Sequence, residues 1–155
     1  MLATGKLRLL LDVEAQRQGE DEVAAAVRLL ERVLGAYPRA FQVILADALY
    51  AEAPFINFLW VHRKYFVTVL KDERRDIYED ARALFELQPG QTARYRNRTC
   101  LWWDVSDLTS WAQVEMPLRA VRSRETYSIQ RQATKEPAQE STEWIWLTNL
   151  PASLA

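Results

Sequence analysis

The sequence predicts an α/β fold in its first half and a β-rich region in its second half. Up to about residue 90, apolar segments of strand length alternate with segments of helical periodicity. Five of the six tryptophans lie beyond residue 100, in segments rich in aromatic and β-branched residues. We therefore expect an α/β unit over residues 1–90 and a β-rich unit over residues 91–155, together forming one structural unit.

The first half alternates strands with helices. Residues 7–13 form a short apolar run, and residues 20–34 place Val23, Val27 and Leu30 on one helical face before Gly35. The pattern then predicts a strand over 41–46, a helix over 53–61, a strand over 65–70 and a helix over 76–87. This order favours a layered sheet with at least partly parallel pairing.

The second half is predicted to consist of strands joined by polar segments. Its aromatic and β-branched runs predict strands over 92–103, 118–123, 126–132 and 144–149. The polar segment 135–142 predicts a loop between the last two strands.

Composition excludes several function classes. The chain has 155 residues and a net charge of −1, so any contact with nucleic acid must come from a local patch. A single cysteine, Cys100, excludes an internal disulfide and a multi-cysteine zinc site, and predicts a reducing, cytoplasmic setting. The one histidine, His62, excludes a multi-histidine metal centre. Asp47 and Glu52 interrupt the most apolar segment, so we expect no membrane span.

Asp47 is the first candidate for chemistry. It directly follows an apolar strand, at the edge of an α/β sheet where ligands and metals bind. An aspartate at this point is also a good cap for the next turn or helix, so both interpretations stand. Asp12 and Glu14 follow the first strand in a similar way, but the long polar segment after them favours a solvated loop.

Basic residues supply a second candidate site. Lys71 opens the segment 71–75 after a strand, where it would face a phosphate backbone or form a solvated turn before the next helix. Arg94, Arg96 and Arg98 alternate, so one continuous strand would present all three on one face. Residues 94–131 hold seven arginines against four acids, a local net charge of +3. This pattern suits phosphate contact and stacking on bases, or a sheet with one charged outer face over an aromatic core.

Five segments, in order, resemble bacterial insertion-sequence transposases of the DDE type: LLLDVE, GEDEVAAAVRLLERVLGAYPRAFQVILADALYAEAPFINFL, VTVLKDERRDIYEDARALF, CLWWDV and RSRETYS. The resemblance covers residues 7–151. It implies an RNase H-like catalytic domain with a β-strand insertion, residues 1–90 being part of the core and 91–155 the insertion. It also implies that Asp47 is the second catalytic aspartate and a metal ligand.

The chemistry that the resemblance implies is DNA cleavage and strand transfer. Two Mg²⁺ (or Mn²⁺) ions, about 4 Å apart, bridge the attacking and leaving oxygens and are held by carboxylates. The family's first Asp lies upstream of the matched segments and its Glu on a helix after the insertion, contexts that Asp12, Glu14 and Glu143 do not match. We therefore expect an internal fragment of a bacterial cytoplasmic enzyme that is inactive alone and does not bind Mg²⁺ tightly.

The expected partners are DNA at transposon ends, a second copy of the chain, or a full-length transposase. Residues 7–13 would leave an unpaired strand edge, which predicts dimerisation or poor solubility. Two alternatives stand beside this interpretation. One is a non-catalytic module that binds DNA or interferes with a transposase. The other is an unrelated α/β domain.

Overall fold

A computed structural model describes residues 1–73, 75–96, 98–130 and 137–154 of the chain. The strands are β1 (Leu2–Thr4), β2 (Leu7–Leu9), β3 (Val43–Leu45), β4 (Tyr65–Val69), β5 (Gln91–Tyr95), β6 (Arg98–Leu108), β7 (Leu118–Gln130) and β8 (Pro137–Thr148). The helices are α1 (Glu22–Ala36), α2 (Ala53–Val61) and α3 (Asp76–Glu86), with short 3-10 turns at Ala48–Tyr50 and Ala152–Leu154.

Six of these strands form one mixed sheet in the order β3-β4-β8-β7-β6-β5. β3 and β4 are parallel, and every other neighbouring pair is antiparallel. β1 and β2 form a separate antiparallel hairpin. The α/β prediction is thus confirmed at this coarse level, and strands from both predicted units share the same sheet.

Two of the helices begin at residues that suit a helix N-terminus. The Asp21 side chain accepts a hydrogen bond from the Ala24 N–H at 2.7 Å and so caps α1. Pro54 lies in the first turn of α2, where its missing N–H costs nothing. α2 packs on β4, α3 packs on β6, and α1 contacts α2. The helices and one face of the sheet enclose the core, whose largest fully buried side chains are Phe66, Phe85, Ile56, Leu59, Ile77, Leu118 and Leu147.

Three predictions for the second half are wrong. The strand expected over 92–103 is divided into β5 and β6 by a turn in which Arg96 has a φ of 56°. The two strands expected over 118–123 and 126–132 are a single strand, β7, as far as residue 130. β8 begins at Pro137, inside the segment expected to be a loop, because its polar residues pair with β7. Residues 131–136 lie outside the described residues.

The first strand is shorter than the sequence predicts. The apolar run 7–13 contributes only Leu7–Leu9 to a strand, which pairs with β1 rather than with the main sheet. Among the described residues, no helix is long and apolar enough to cross a membrane.

Candidate functional site

Asp47 lies just beyond the carboxyl end of β3. The Ala46 N–H donates to the Val67 carbonyl at 3.0 Å, so the chain is still held to β4 one residue before Asp47. The Thr68 hydroxyl donates to the Asp47 carbonyl. These contacts hold the Asp47 backbone at the edge of the sheet, where the sequence predicts it.

The Asp47 side chain caps the turn that follows. Its Oδ1 accepts a hydrogen bond from the Leu49 N–H at 2.8 Å, and its backbone is extended, as in a helix cap. The capping interpretation is therefore confirmed. The carboxylate is exposed and makes no ion pair with any residue that the structure describes. Capping uses one lone pair of one oxygen, so the rest of the carboxylate is accessible to a cation.

A second carboxylate lies near Asp47, on the first turn of α1. The Tyr50 hydroxyl donates to Glu22 Oε1 at 2.7 Å. Burial, the hydrogen bond to Glu22 and the negative charges of Glu22 and Asp47 together raise the pKa of Tyr50 to about 12. Both carboxylates thus act on one phenol at this edge of the sheet.

The other acidic candidates are engaged in ion pairs. Glu14 contacts both Arg28 and Arg32, and Asp12 contacts Arg32 at 2.8 Å, so the segment after β2 is fastened to α1. The sequence predicts a solvated loop at Asp12 and Glu14. The structure adds that these two carboxylates anchor the segment to α1, which the sequence did not show. Over residues 1–73, 75–96, 98–130 and 137–154, no group of three or more His, Cys, Asp or Glu side chains forms a metal site.

Lys71 follows β4 at the same edge of the sheet. Its ammonium group lies 5.6 Å from the centre of the Trp144 ring. Arg75, at the start of α3, donates to Glu52 at 2.9 Å and to Asp72 at 3.2 Å, and its guanidinium lies 4.2 Å from the Trp111 ring centre. Lys71 and Arg75 thus lie in the turn before the third helix, which is one of the two predicted placements; Lys71 lies beside a ring, and Arg75 contacts two acids and a ring.

Two depressions meet at Arg75. One of about 420 Å³ lies between Arg75, Trp111 and the start of α2. The other, of about 350 Å³, lies between Arg75, Lys71 and the turn after Asp47, and includes Ala48. Lys71 and Arg75 therefore line, together with the acids Glu52 and Asp72, a surface that begins beside the turn after Asp47.

The three alternating arginines, Arg94, Arg96 and Arg98, do not lie on one face of the sheet. Arg94 pairs with Thr99 and Arg98 with Tyr127 across neighbouring strands, and the turn at Arg96 separates them. Arg94 and Arg98 point to opposite faces of the sheet, because Tyr95 rather than Arg94 is opposite Arg98. The prediction that one strand presents all three arginines on one face is therefore wrong, because the chain turns between β5 and β6.

Most of the described arginines of the second half are neutralised by acids. Arg98 contacts Glu125 at 2.6 Å, Arg119 pairs with Asp104, and Arg124 contacts Glu143 at 2.8 Å. Further contacts join Arg122 to Glu143 at 3.0 Å and to Glu86 at 2.8 Å. Glu86 and Glu143 lie outside the segment counted as basic, so the local excess of positive charge is smaller in three dimensions than along the sequence.

His62 and Cys100 take no part in this edge. The exposed His62 ring lies 4.3 Å from the Phe58 ring, with Nδ1 2.9 Å from the Phe58 carbonyl oxygen. Cys100 is a free cysteine in β6, and burial, followed by the nearby Glu125 charge, raises the pKa of its thiol. A raised pKa leaves the thiol protonated and weakly nucleophilic at neutral pH.

Comparison of the sequence with protein-family models finds no match, and a search of curated proteins finds no similar sequence.

Proposed function

We propose that this chain is part of the catalytic domain of a DDE transposase, with an RNase H-like core and a β-strand insertion. In this proposal Asp47 is one of the carboxylates that bind Mg²⁺ or Mn²⁺ for DNA cleavage and strand transfer. The observation that supports it best is the exposed Asp47 carboxylate, held at the carboxyl end of β3 beside the parallel strand β4. Ligands bind at this edge in open α/β sheets.

The electrostatics of the edge support a cation rather than an anion at Asp47. The Asp47 carboxylate is exposed, and a second carboxylate, that of Glu22, accepts from the Tyr50 hydroxyl in the turn that Asp47 caps. Oxygen ligands suit Mg²⁺, which keeps several of its own waters and needs few protein ligands. Lys71 lines the adjoining depression, where a phosphate oxygen would meet its positive charge.

Mn²⁺ provides a direct test, because its unpaired electrons broaden the NMR signals of nearby nuclei. In the isotope-labelled chain, we expect sub-millimolar Mn²⁺ to broaden the amide signals of Ala48 and Leu49 before most others. Asp47→Asn keeps the cap, since Asn is as good a cap as Asp, and should abolish this broadening. Asp107→Asn is the matched control: Asp107 is exposed, has a φ of 60°, and tolerates Asn there. Equal broadening in the wild type and in Asp47→Asn contradicts the proposal.

Catalysis gives a second test. One carboxylate does not hold two metal ions, so we expect the purified chain to leave duplex DNA intact in the presence of Mg²⁺ or Mn²⁺. Nicking that is lost in Asp47→Asn but kept in Asp107→Asn refutes the expectation of inactivity.

A second candidate function is a non-catalytic DNA-binding module, and the position of three cations favours it. Arg94 and Arg96 are exposed and, among the described residues, form no ion pair; the Arg96 guanidinium lies 5.1 Å from the Tyr95 ring centre. Lys71 lies beside the exposed Trp144. Unpaired cations next to aromatic rings suit contact with phosphates and bases.

Salt-dependent DNA titration tests this function. If Arg94 and Arg96 each contact one phosphate, the Arg94→Ala/Arg96→Ala variant should lower the slope of log K against log salt by about 2. Arg39→Ala removes another exposed charge, from the loop before β3, and is the control. No binding at low salt, or equal effects of the two changes, rejects the DNA-binding module.

A further inference from the structure

The turn that carries Asp47 is fastened to two other elements of the fold. The hydroxyl of Thr68, a buried residue of β4, donates to the Asp47 carbonyl. At the other end of the turn, the Tyr50 hydroxyl donates at 2.7 Å to Oε1 of Glu22, in the first turn of α1. The short segment 47–50 is therefore tied to β4 by its first residue and to α1 by its last.

Tyr50 couples the contact with α1 to the hydrophobic core. Its N–H donates to the Asp47 carbonyl at 3.2 Å and closes the turn, and its ring centre lies 5.3 Å from that of the buried Phe55. Because the ring is rigid, its packing against Phe55 and the bond from its hydroxyl to Glu22 fix its direction together. Of these two contacts, the hydroxyl bond is the one that ties the turn to α1.

The capping hydrogen bond of the Asp47 side chain stays within the turn, because Oδ1 accepts from the N–H of Leu49. This bond fixes the carboxylate relative to the turn, whereas the contacts that leave the turn fix the turn relative to the sheet. Groups that orient a metal ligand without touching the metal commonly change metal affinity by about 10–100-fold when they are removed. The Tyr50 hydroxyl has this relation to the Asp47 carboxylate.

We propose that Tyr50 is a positioning residue for Asp47: its hydroxyl, bonded to Glu22, holds the turn 47–50 against α1, so that the Asp47 carboxylate keeps one direction at the edge of the sheet. The inference rests on the proposed function in one respect, because the ion for which that direction matters is Mg²⁺ or Mn²⁺. The fastening of the turn does not depend on a metal ion and is measurable without one. Glu22 acts here as a hydrogen-bond acceptor, and its charge is not required.

Mn²⁺ titration of the isotope-labelled full chain tests the effect on metal binding. Tyr50→Phe keeps the ring and removes only the hydroxyl, so we expect the Mn²⁺ concentration that half-broadens the Ala48 amide signal to rise about tenfold. Glu22→Ala should have the same effect, and the double variant no more than either single one, because all three lack the same bond. Glu22→Gln keeps an acceptor oxygen and should stay close to the wild type. Tyr78→Phe removes a hydroxyl that bonds Glu73 at 3.4 Å, and this matched control should not change the titration.

Amide exchange of Leu49 in the metal-free chain tests the fastening by itself. The Leu49 N–H is bonded to Asp47 Oδ1, so release of the turn from α1 should speed its exchange about fivefold in Tyr50→Phe and in Glu22→Ala, but not in Glu22→Gln. If Mn²⁺ does not broaden the wild-type signals, the proposed function fails, and the exchange rates alone decide the role of Tyr50. Equal exchange in the wild type and Tyr50→Phe overturns that role, as does an unchanged titration in Tyr50→Phe where the wild type binds Mn²⁺. A loss in Glu22→Gln as large as in Glu22→Ala also overturns it, because the charge of Glu22 would then be responsible.

Discussion

Replacing Arg119 by methionine should destabilise the fold strongly, because it leaves a carboxylate in the sheet without its partner. Arg119 is only 8% exposed. Its Nε donates to Asp104 Oδ1 at 2.7 Å, its Nη2 donates to Oδ2, and its Nη1 donates to the Leu150 carbonyl at 3.1 Å. The pair is thus bidentate, and a third bond ties β7 to the segment after β8.

The magnitude follows from how much water reaches the carboxylate that is left behind. Removing one partner of a fully buried ion pair costs about 3–5 kcal/mol. The Asp104 side chain is 19% exposed, so water solvates part of the charge, and we expect Arg119→Met to lose about 2–4 kcal/mol. Methionine keeps most of the apolar stem, so lost packing contributes little.

Urea unfolding of a double-mutant cycle separates the pair from its surroundings. The cycle combines Arg119→Met with Asp104→Asn, which keeps the shape of the side chain but removes the charge. The double variant should be more stable than the sum of the single losses predicts, by about 1 kcal/mol or more. Arg39→Met, at an exposed position, should change stability by no more than about 0.5 kcal/mol. A loss below about 1 kcal/mol for Arg119→Met, or an additive cycle, refutes the reasoning.

Three further predictions concern single side chains, and unfolding measurements check each. Asp47→Asn should stay within about 0.5 kcal/mol of wild type, whereas Asp47→Ala should lose about 1 kcal/mol with the cap; equal losses contradict the capping role. A Cβ on Gly90 would lie 2.8 Å from a Trp103 ring atom, so Gly90→Ala should cost about 1–3 kcal/mol; Gly35→Ala, where the space is open, should not destabilise α1. Burial raises the pKa of Glu143, but hydrogen bonds and charges from two arginines lower it by more. The pKa of Glu143 in the folded state therefore lies below the ordinary value. The stabilisation from the Glu143 charge is complete above the pKa of glutamate in the unfolded chain, about 4.3, and is lost as pH falls through the pKa in the folded state. Between about pH 5 and pH 3, Glu143→Gln should therefore lose less stability than the wild type.

The helices and the parallel strands were predictable because their signals are local. The helix predicted over 53–61 has the same bounds as α2, since Pro54 sets its beginning and the polar residues from His62 onward its end. β4 differs from its predicted range by one residue, because its aromatic and β-branched residues have few alternatives. At Asp47 the cap was one of the two interpretations of the sequence, and it was within reach because the side chain and the N–H that it binds are two residues apart.

The antiparallel half was less predictable because its structure depends on pairing between distant segments. The polar stretch that begins β8 has no strand signal of its own, and it is a strand because Glu140, Ser141 and Thr142 lie opposite β7. The turn at Arg96 has a positive φ without a glycine, so no composition signal marks it. A cavity of about 710 Å³ beside β3 is likewise invisible in the sequence, because four separate segments form its walls.

The ion pairs of the second half determine how its charge should be interpreted. Counting residues 94–131 gave an excess of positive charge, but Arg122 and Arg124 both contact Glu143, which lies on β8. An arginine already held by a carboxylate contributes less to phosphate binding, because the new contact must replace an existing one. Their guanidinium groups also lie 4.7 Å and 5.7 Å from the Trp103 ring centre, which fixes them further. Any DNA affinity of the described residues should therefore depend on Lys71, Arg94 and Arg96, and removing these three charges should reduce it more than removing the paired arginines.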